Sequence, residues 1–219
     1  MTTEIIRVYR DVVSDDRRWA QATRDGLTAR GWTLLNLIGS PGSGKTALLE
    51  ALARALRDRV ACAVIEADCA TTRDAERIRA AGLPVCQIVT GDGCHVTAAA
   101  VYQALNDLAL AGRNLVFVEN VGNLVCPASC DLGETAKIAV LSVTEGEDKP
   151  LKYPILFRAA RAVLLTKTDL LPHLQYRLED VLAALRQVNG AAPVFQLSAK
   201  TGAGLPAFAD WLLTVGPAE

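Results

Sequence analysis

The sequence predicts an α/β protein in three layers, with a central, mostly parallel sheet of about seven strands and helices on both faces. Short runs rich in valine, leucine, isoleucine and alanine are typical of strands buried on both faces. Segments with apolar residues at helical spacing alternate with these runs, as a parallel sheet requires. A glycine-rich stretch at residues 39–46 connects the first strand to the following helix. Together these observations indicate the fold of P-loop nucleoside triphosphatases.

We expect one domain, divided into an N-terminal helical arm at residues 1–31 and a P-loop core at residues 32–219. Apolar residues in the arm follow a rough helical spacing: Ile5, Val8, Val12 and Trp19. Two interpretations are open. The arm is either a helix packed on the sheet, which we favour, or a segment that pairs with another subunit.

The elements of the core follow from local patterns taken in chain order. Apolar runs predict strands at about residues 33–38, 60–66, 84–89, 115–118, 136–143, 161–166 and 194–197. Helical spacing predicts helices at about residues 47–56, from near 74, and at 96–111, 173–188 and 204–214. The charged, proline-bounded segment at residues 144–154 has no clear periodicity, so we predict a loop there.

The glycine-rich segment, GSPGSGKT at residues 39–46, predicts a phosphate-binding loop. Its backbone N–H groups can point at phosphate oxygens beside the positive end of a helix. The lysine is expected to reach the outer phosphates and the threonine hydroxyl to bind Mg²⁺. We therefore assign nucleoside triphosphate binding to six residues of this loop: Gly39, Gly42, Ser43, Gly44, Lys45 and Thr46.

Composition excludes several classes of protein. The 23 basic and 24 acidic side chains nearly balance, so nothing indicates nucleic-acid binding. No run approaches the roughly 18 apolar residues of a membrane span, and we expect no signal peptide. Six cysteines suggest free thiols or metal ligands rather than a disulfide framework. We therefore expect a cytoplasmic protein with no nucleic-acid or membrane partner.

Acidic residues stand at the ends of two predicted strands, where parallel sheets bind ligands. Asp68 follows the second strand, and we expect it either to be only a cap or to face Mg²⁺ or the attacking water. Asp74 has the same two interpretations. Glu119 ends the fourth strand, three residues before Gly122, whose N–H can approach a γ-phosphate because no Cβ intervenes.

Two later segments predict recognition of guanine. A carboxylate at a strand end can accept hydrogen bonds from the N1–H and exocyclic amine of guanine, whereas adenine has no such donor pair. Asp169 is placed for this role, and the stem of Lys167 for contact with the base plane. A backbone N–H near the base carbonyl would come from the loop Ser198, Ala199 and Lys200. We therefore expect GTP rather than ATP.

A possible metal site is formed by Cys94, His95 and Cys126, which follow core strands at the same sheet edge as the phosphate loop. Thiolate and imidazole suit Zn²⁺, Ni²⁺ or copper. The alternative is that the cysteines are small buried hydrophobic residues and the histidine begins a helix. Three ligands do not complete a coordination shell, so a metal would favour two chains sharing a site. Cys69 and Cys130 are possible extra ligands. Cys62 and Cys86, inside strand patterns, are expected to belong to the core.

These segments resemble the HypB family, the GTPases that assist nickel insertion into nickel–iron hydrogenase. The resemblance runs from about residue 33 onward, and its most specific pieces are residues 39–46, 90–95, 119–127 and 144–154. It implies a Ni²⁺ or Zn²⁺ site at a nucleotide-dependent homodimer interface, formed by Cys94, His95 and Cys126. It also implies that Mg²⁺ and the switch region involve Thr46, Asp68, Asp74 and Glu119. The implied partners are the hydrogenase large subunit and other nickel-delivery proteins.

The sequence departs from that family in three ways. It has neither the N-terminal Cys-x-x-Cys-Gly-Cys nickel motif of many relatives nor a histidine-rich run, so high-affinity nickel storage is not expected. Thr166 stands where most relatives have an asparagine that braces the phosphate loop and reaches the base, which predicts weaker nucleotide binding. Cys69 and Cys130 add thiols near the switch segments.

The expected activity is slow hydrolysis of GTP to GDP and phosphate, because no glutamine stands where small GTPases orient the attacking water. We expect the catalytic residues to be Lys45, Asp68, Glu119 and Gly122. Three alternatives remain at this stage: a urease-type nickel GTPase, a metal carrier with a purely regulatory nucleotide site, and a small-molecule kinase. The paired guanine signals disfavour the kinase.

Overall fold

The computed structural model describes residues 16–108, 110 and 114–216. Seven strands form one sheet in the order β3-β2-β4-β1-β5-β6-β7, and every neighbouring pair is parallel. The strands are β1 Thr33–Gly39, β2 Ala61–Asp68, β3 Val85–Val89, β4 Asn114–Glu119, β5 Ala136–Ser142, β6 Ala160–Thr166 and β7 Val194–Gln196. The strand order reverses on either side of β1, so the loop after β1 lies at the crevice where such sheets bind ligands.

Helices connect successive strands and cover both faces of the sheet. They are α1 Asp16–Arg30, α2 Lys45–Leu56, α3 Arg73–Ala80, α4 Ala98–Asp107, α5 Cys126–Ser129, α6 Lys149–Lys152, α7 Pro154–Ala159, α8 Leu178–Asn189 and α9 Leu205–Thr214. The apolar strand residues face helices on both sides, which explains why these strands carry continuous apolar runs. No helix in the described part of the chain is long and apolar enough to cross a membrane.

The predicted α/β class and its three layers are confirmed, and the sheet is parallel throughout. Two local predictions were wrong. The helix predicted at 173–188 begins only at Leu178, because a 3-10 turn at Thr168–His173 containing Pro172 precedes it. The segment 144–154 contains α6 and the first residue of α7, each with a proline in its first turn. Proline is compatible with a helix start, where its missing N–H needs no partner.

Helix α1 packs against α4. The rings of Trp19 and Tyr102 lie 5.1 Å apart, and Arg30 donates a 2.6 Å hydrogen bond to Asn106. Ala20 and Leu27 on the same helix are buried. Helix α1 therefore packs on α4, while the division into an arm and a core, with the arm packed on the sheet, stays a prediction. The portion of the predicted arm before Asp16 lies outside the described residues, and a role in subunit pairing stays a hypothesis.

Candidate functional site

The phosphate loop connects β1 to α2 at the crevice of the sheet. Gly39 packs so closely on β5 that an added Cβ would collide with the Val140 carbonyl. Ser43 N donates a 3.1 Å hydrogen bond to Ser40 O, which closes the loop above the start of α2. The loop thus leaves its backbone N–H groups at a helix N-terminus, an arrangement suited to binding phosphate.

Lys45 is only 7% exposed, and its ammonium group lies inside the loop. Nζ donates to the carbonyls of Gly39 at 3.2 Å and Ser40 at 3.3 Å. Burial lowers the pKa of Lys45, while the carboxylate of Glu119 opposes that shift. A second lysine, Lys149, donates a 2.7 Å hydrogen bond to Ser40 Oγ. Nothing in the sequence indicated that Lys149 reaches this loop, because it comes from the segment predicted as a loop without periodicity.

Glu119 lies at the end of β4 beside the phosphate loop. Its Oε1 accepts a 2.7 Å hydrogen bond from the Thr46 hydroxyl, and its buried Oε2 has no hydrogen-bond partner among the described residues. Burial raises the pKa of Glu119 to about 7, although the Thr46 hydrogen bond and Lys45 oppose the shift. An unpaired buried carboxylate oxygen beside a hydroxyl is a pair of hard oxygen ligands suited to Mg²⁺.

Glu66 on β2 is a second buried acid beside Glu119. The two residues are register partners on adjacent parallel strands, and Glu66 is 2% exposed. Burial, followed by the neighbouring charge of Glu119, raises the pKa of Glu66 to about 9. Its Oε2 is also without a partner in the described structure. Sequence reasoning missed Glu66 because it stands at the end of an apolar run and was counted as part of the strand. An acidic residue within a strand otherwise made of buried residues was the signal that could have identified it.

Asp68 and Asp74 lie near these acids but have other partners. Asp68 Oδ1 accepts hydrogen bonds from the N–H groups of Ala70 at 2.8 Å and Thr71 at 2.6 Å, as a turn cap does. Asp74 forms a 2.9 Å ion pair with Arg77 on the same helix. The structure does not bring either carboxylate into hydrogen-bond contact with Thr46. Their assignment to Mg²⁺ therefore stays a prediction.

A cavity of about 270 Å³ opens beside the phosphate loop, where the sequence predicts the guanine site. The predicted base-contact residues Lys167, Asp169, Ala199 and Lys200 line it, together with Gly44, Ala47, Leu48, Thr166, Leu170 and Leu197. Asp169 Oδ1 accepts a 2.6 Å hydrogen bond from Ser198 Oγ, which orients the carboxylate. The other oxygen of the Asp169 carboxylate can accept a hydrogen bond from a base.

The ligand atoms of Cys94, His95 and Cys126 all lie within 4.8 Å of one another. Cys94 Sγ is 3.4 Å from His95 Nδ1. The pKa of the Cys94 thiol is raised, chiefly by its hydrogen bond with Cys126. The cysteines therefore do not lie in separate packed regions, and the donor atoms of the three side chains are close enough together to serve as ligands of one metal ion.

The remaining four cysteines lie in two kinds of surroundings. Cys62 and Cys86 are buried in the core. Cys69 is exposed and lies against the loop before the cluster, with Sγ 3.8 Å from Gly93 O. Cys130 is half-buried, four residues after Cys126. Neither Cys69 nor Cys130 belongs to the group of ligand atoms within 4.8 Å.

The chain is similar to several known proteins over most of its length. The family described as CobW/HypB/UreG, nucleotide-binding domain, matches residues 33–196. The hydrogenase maturation factor HypB of Escherichia coli strain K12 is 50% identical over 210 residues, covering 96% of this chain and 72% of that protein. The hydrogenase/urease maturation factor HypB of Helicobacter hepaticus is 39% identical over 211 residues, covering 94% and 86%. A crystal structure of HypB from Helicobacter pylori in complex with nickel has a TM-score of 0.87 at 38% identity, covering 92% of this chain and 94% of that chain.

Proposed function

This chain belongs to the CobW/HypB/UreG family, and from that premise we propose that it is a GTP-hydrolysing metallochaperone that assists nickel insertion during maturation of nickel–iron hydrogenase. One observation carries the proposal. The segment 119–126 begins with an acid that binds the phosphate-loop threonine and ends with a cysteine of the Cys–His cluster. The nucleotide site and the metal site therefore share a short stretch of backbone.

GTP binds with its phosphates in the loop at residues 39–46 and its base in the cavity beside Asp169. Lys45 exchanges its two carbonyl partners for phosphate oxygens, which compensates the charge of the outer phosphates. The free carboxylate oxygen of Asp169 selects guanine, because adenine would leave a buried charge unpaired. Catalysis consists chiefly of positioning and charge stabilisation, since phosphoryl transfer needs little covalent chemistry from the protein.

The residues present fit Mg²⁺, because Thr46 Oγ1 and the unpaired Oε2 of Glu119 are hard oxygen ligands side by side. These two residues would hold Mg²⁺, which would supply charge neutralisation to the phosphates. Asp68 and Asp74 complete the acidic surroundings, with Asp68 orienting the attacking water. The Gly122 N–H senses the γ-phosphate from the same loop that carries the metal-binding cysteine.

Nickel is the cargo, held by Cys94, His95 and Cys126, and Zn²⁺ binds the same donors. Three ligands leave a coordination shell incomplete, so a second copy of the chain completes it and the protein acts as a homodimer. GTP orders the segment 119–126, and hydrolysis relaxes it and alters the ligand geometry. Nucleotide and metal must then affect each other's affinity equally. The hydrogenase large subunit and other nickel-delivery proteins are the partners.

A urease is an alternative client, because the Helicobacter hepaticus relative is named a hydrogenase/urease maturation factor. The chemistry proposed for the chain is the same for either client. Hydrogenase and urease activities in cells that depend on this chain distinguish the two. A Lys45→Ala protein that still supports maturation would instead favour a metal carrier with a regulatory nucleotide site.

The proposal is tested by equilibrium binding of Ni²⁺ and Zn²⁺ to the protein loaded with GDP or with a non-hydrolysable GTP analogue. We expect metal affinity and the dimer fraction, measured by light scattering, to differ between the two states. Cys126→Ser should abolish tight binding, whereas Cys62→Ser, in the core, should retain it. Equal affinities and an equal monomer fraction in both nucleotide states would refute the switch.

A further inference from the structure

Asn123 lies between the two backbone segments that carry the metal-binding cysteines. Its Nδ2 donates a 3.3 Å hydrogen bond to the carbonyl of Cys94, and its Oδ1 accepts a 2.8 Å hydrogen bond from the N–H of Val125. Val125 immediately precedes Cys126. One amide side chain thus contacts the backbone of one ligand and the residue next to another, although 29 positions separate Asn123 from Cys94.

Asn120 makes a second bridge between the same two segments, deeper in the protein. It is 1% exposed, and its Oδ1 accepts from the N–H groups of Val96 at 3.3 Å and Val121 at 3.0 Å. Its Nδ2 donates a 3.1 Å hydrogen bond to Asn36 Oδ1 on β1. The buried Asn120 side chain therefore connects Val96, which follows His95, to the segment that begins at Glu119.

The segment that holds both asparagines also packs directly on the phosphate loop. A Cβ added to Gly122 would lie 2.8 Å from Pro41 Cγ and 2.9 Å from Pro41 N, so the two backbones are in contact. The main-chain N–H of Asn120 donates a 3.2 Å hydrogen bond to Leu37 O, two residues before the loop begins. A continuous series of contacts therefore connects the phosphate loop to the segment that carries both asparagine side chains.

We propose that Asn123 is a positioning residue of the metal site, which holds Cys94 and Cys126 at one separation and, with Asn120, makes that separation follow the phosphate loop. The inference rests on the proposed function and names the residues that connect its two sites. Partners that hydrogen bond around metal ligands fix their orientation, and their loss lowers metal affinity by roughly 10- to 100-fold. Neither asparagine needs to contact nucleotide or metal for this effect.

The test measures Ni²⁺ affinity by competition with a chromophoric chelator, in the GDP state and with a non-hydrolysable GTP analogue. Asn123→Ala should lower the Ni²⁺ affinity by roughly 10-fold or more. It should also reduce the difference in Ni²⁺ affinity between the two nucleotide states. The thiolate-to-nickel absorption band should weaken, because the two sulfurs no longer bind at once. Asn123→Ser should lie between alanine and wild type, since a serine hydroxyl can still accept from a nearby backbone N–H but does not reach the Cys94 carbonyl.

Asn189→Ala is the matched control. Asn189 donates to the carbonyls of Phe157 and Ala160, both at 3.0 Å, and its loss removes similar side-chain-to-backbone bonds away from the cluster. It should keep the wild-type nickel affinity, band and nucleotide dependence. Melting curves and binding of a fluorescent GTP analogue verify that each variant is folded.

The outcomes separate this inference from the proposed function. Wild-type nickel affinity, band intensity and nucleotide dependence in Asn123→Ala would overturn the inference and leave the proposed function standing. Loss of the same size in Asn189→Ala would also overturn it, because the effect would then be general destabilisation. A wild-type protein that binds no nickel would overturn the proposed function itself.

Discussion

The Thr166 hydroxyl donates a 2.6 Å hydrogen bond to the main-chain carbonyl of Ser43, inside the phosphate loop. The same hydroxyl lies 3.4 Å from Leu141 O, so it fastens the loop to the ends of β5 and β6. The weaker nucleotide binding expected from the missing asparagine stays a prediction. For the loop itself, the threonine hydroxyl makes a direct contact that the sequence did not indicate.

Thr166→Val should therefore weaken binding of both GTP and GDP. Valine has nearly the same shape as threonine but cannot donate, so the buried Ser43 carbonyl loses a partner, at a cost of about 1–3 kcal/mol. Titration with a fluorescent guanine nucleotide measures the change. Thr166→Asn is the informative companion, since its amide can donate to the same carbonyl and extends further toward the base. If valine binds nucleotide as the wild type does, the brace has no energetic role.

Gly122→Ala should impair GTP hydrolysis. The new methyl group would lie 2.8 Å from Pro41 Cγ and 2.9 Å from its backbone nitrogen, so one of the two loops must move. Displacement of a positioned phosphate loop is expected to lower turnover by roughly 10- to 100-fold. Phosphate release under saturating GTP gives the rate. Gly26→Ala in α1 serves as the control, because its Cβ would meet only Arg30 Nη1, at 4.0 Å. Equal rates in the two variants would contradict the prediction.

Asp169→Asn should change which base the protein accepts. The carboxylate, oriented by Ser198 Oγ, is an acceptor for guanine donors, whereas an amide can donate to the additional carbonyl of xanthine. We expect GTP affinity to fall by roughly 10-fold or more and xanthosine triphosphate affinity to rise. Competition binding with both nucleotides tests this, with the exposed Asp210→Asn as the control. An unchanged base preference would remove Asp169 from the guanine site.

Glu66 should make the stability of the metal- and nucleotide-free protein fall as pH rises. Its pKa is raised to about 9 in the folded protein, so the folded state holds its proton more tightly than the unfolded state does. The resulting stabilisation is complete below the ordinary pKa and is lost as pH rises toward about 9. The slope is at most about 1.4 kcal/mol per pH unit. Glu119, with its pKa near 7, contributes in the same direction at lower pH.

Chemical denaturation at several pH values in the presence of a chelator measures this slope. Glu66→Gln is neutral at every pH and should flatten the dependence at pH values well above 7, where Glu119 has largely titrated. The groups that face Glu66 electrostatically remain unchanged in this variant: Glu119, Asp68, Asp74 and Lys45. Glu179→Gln, at an exposed position on α8, should keep the wild-type slope. A Glu66→Gln protein with an unchanged slope would contradict the assignment.

The order of strands, loop and helices was readable from the sequence because each depends mainly on nearby residues. The phosphate loop needs glycines and a following helix; the glycines stand within eight consecutive positions, and the helical pattern follows directly. The start of α8 was misplaced because helical spacing continues through residues that a 3-10 turn occupies. The short helices α6 and α7 were missed because elements of four and six residues carry too few apolar positions to show a period.

By itself, the sequence determined the α/β fold, the phosphate loop, the Lys-x-Asp segment and the candidate cysteine and histidine ligands. Only the tertiary structure decided that Glu66 stands beside Glu119, that Thr166 holds Ser43, and that Asn120 and Asn123 join the two ligand-bearing segments. The physical reason is the range of the interactions involved. Local motifs reflect backbone conformation within a few residues, whereas these contacts depend on the register and packing of segments far apart in the chain.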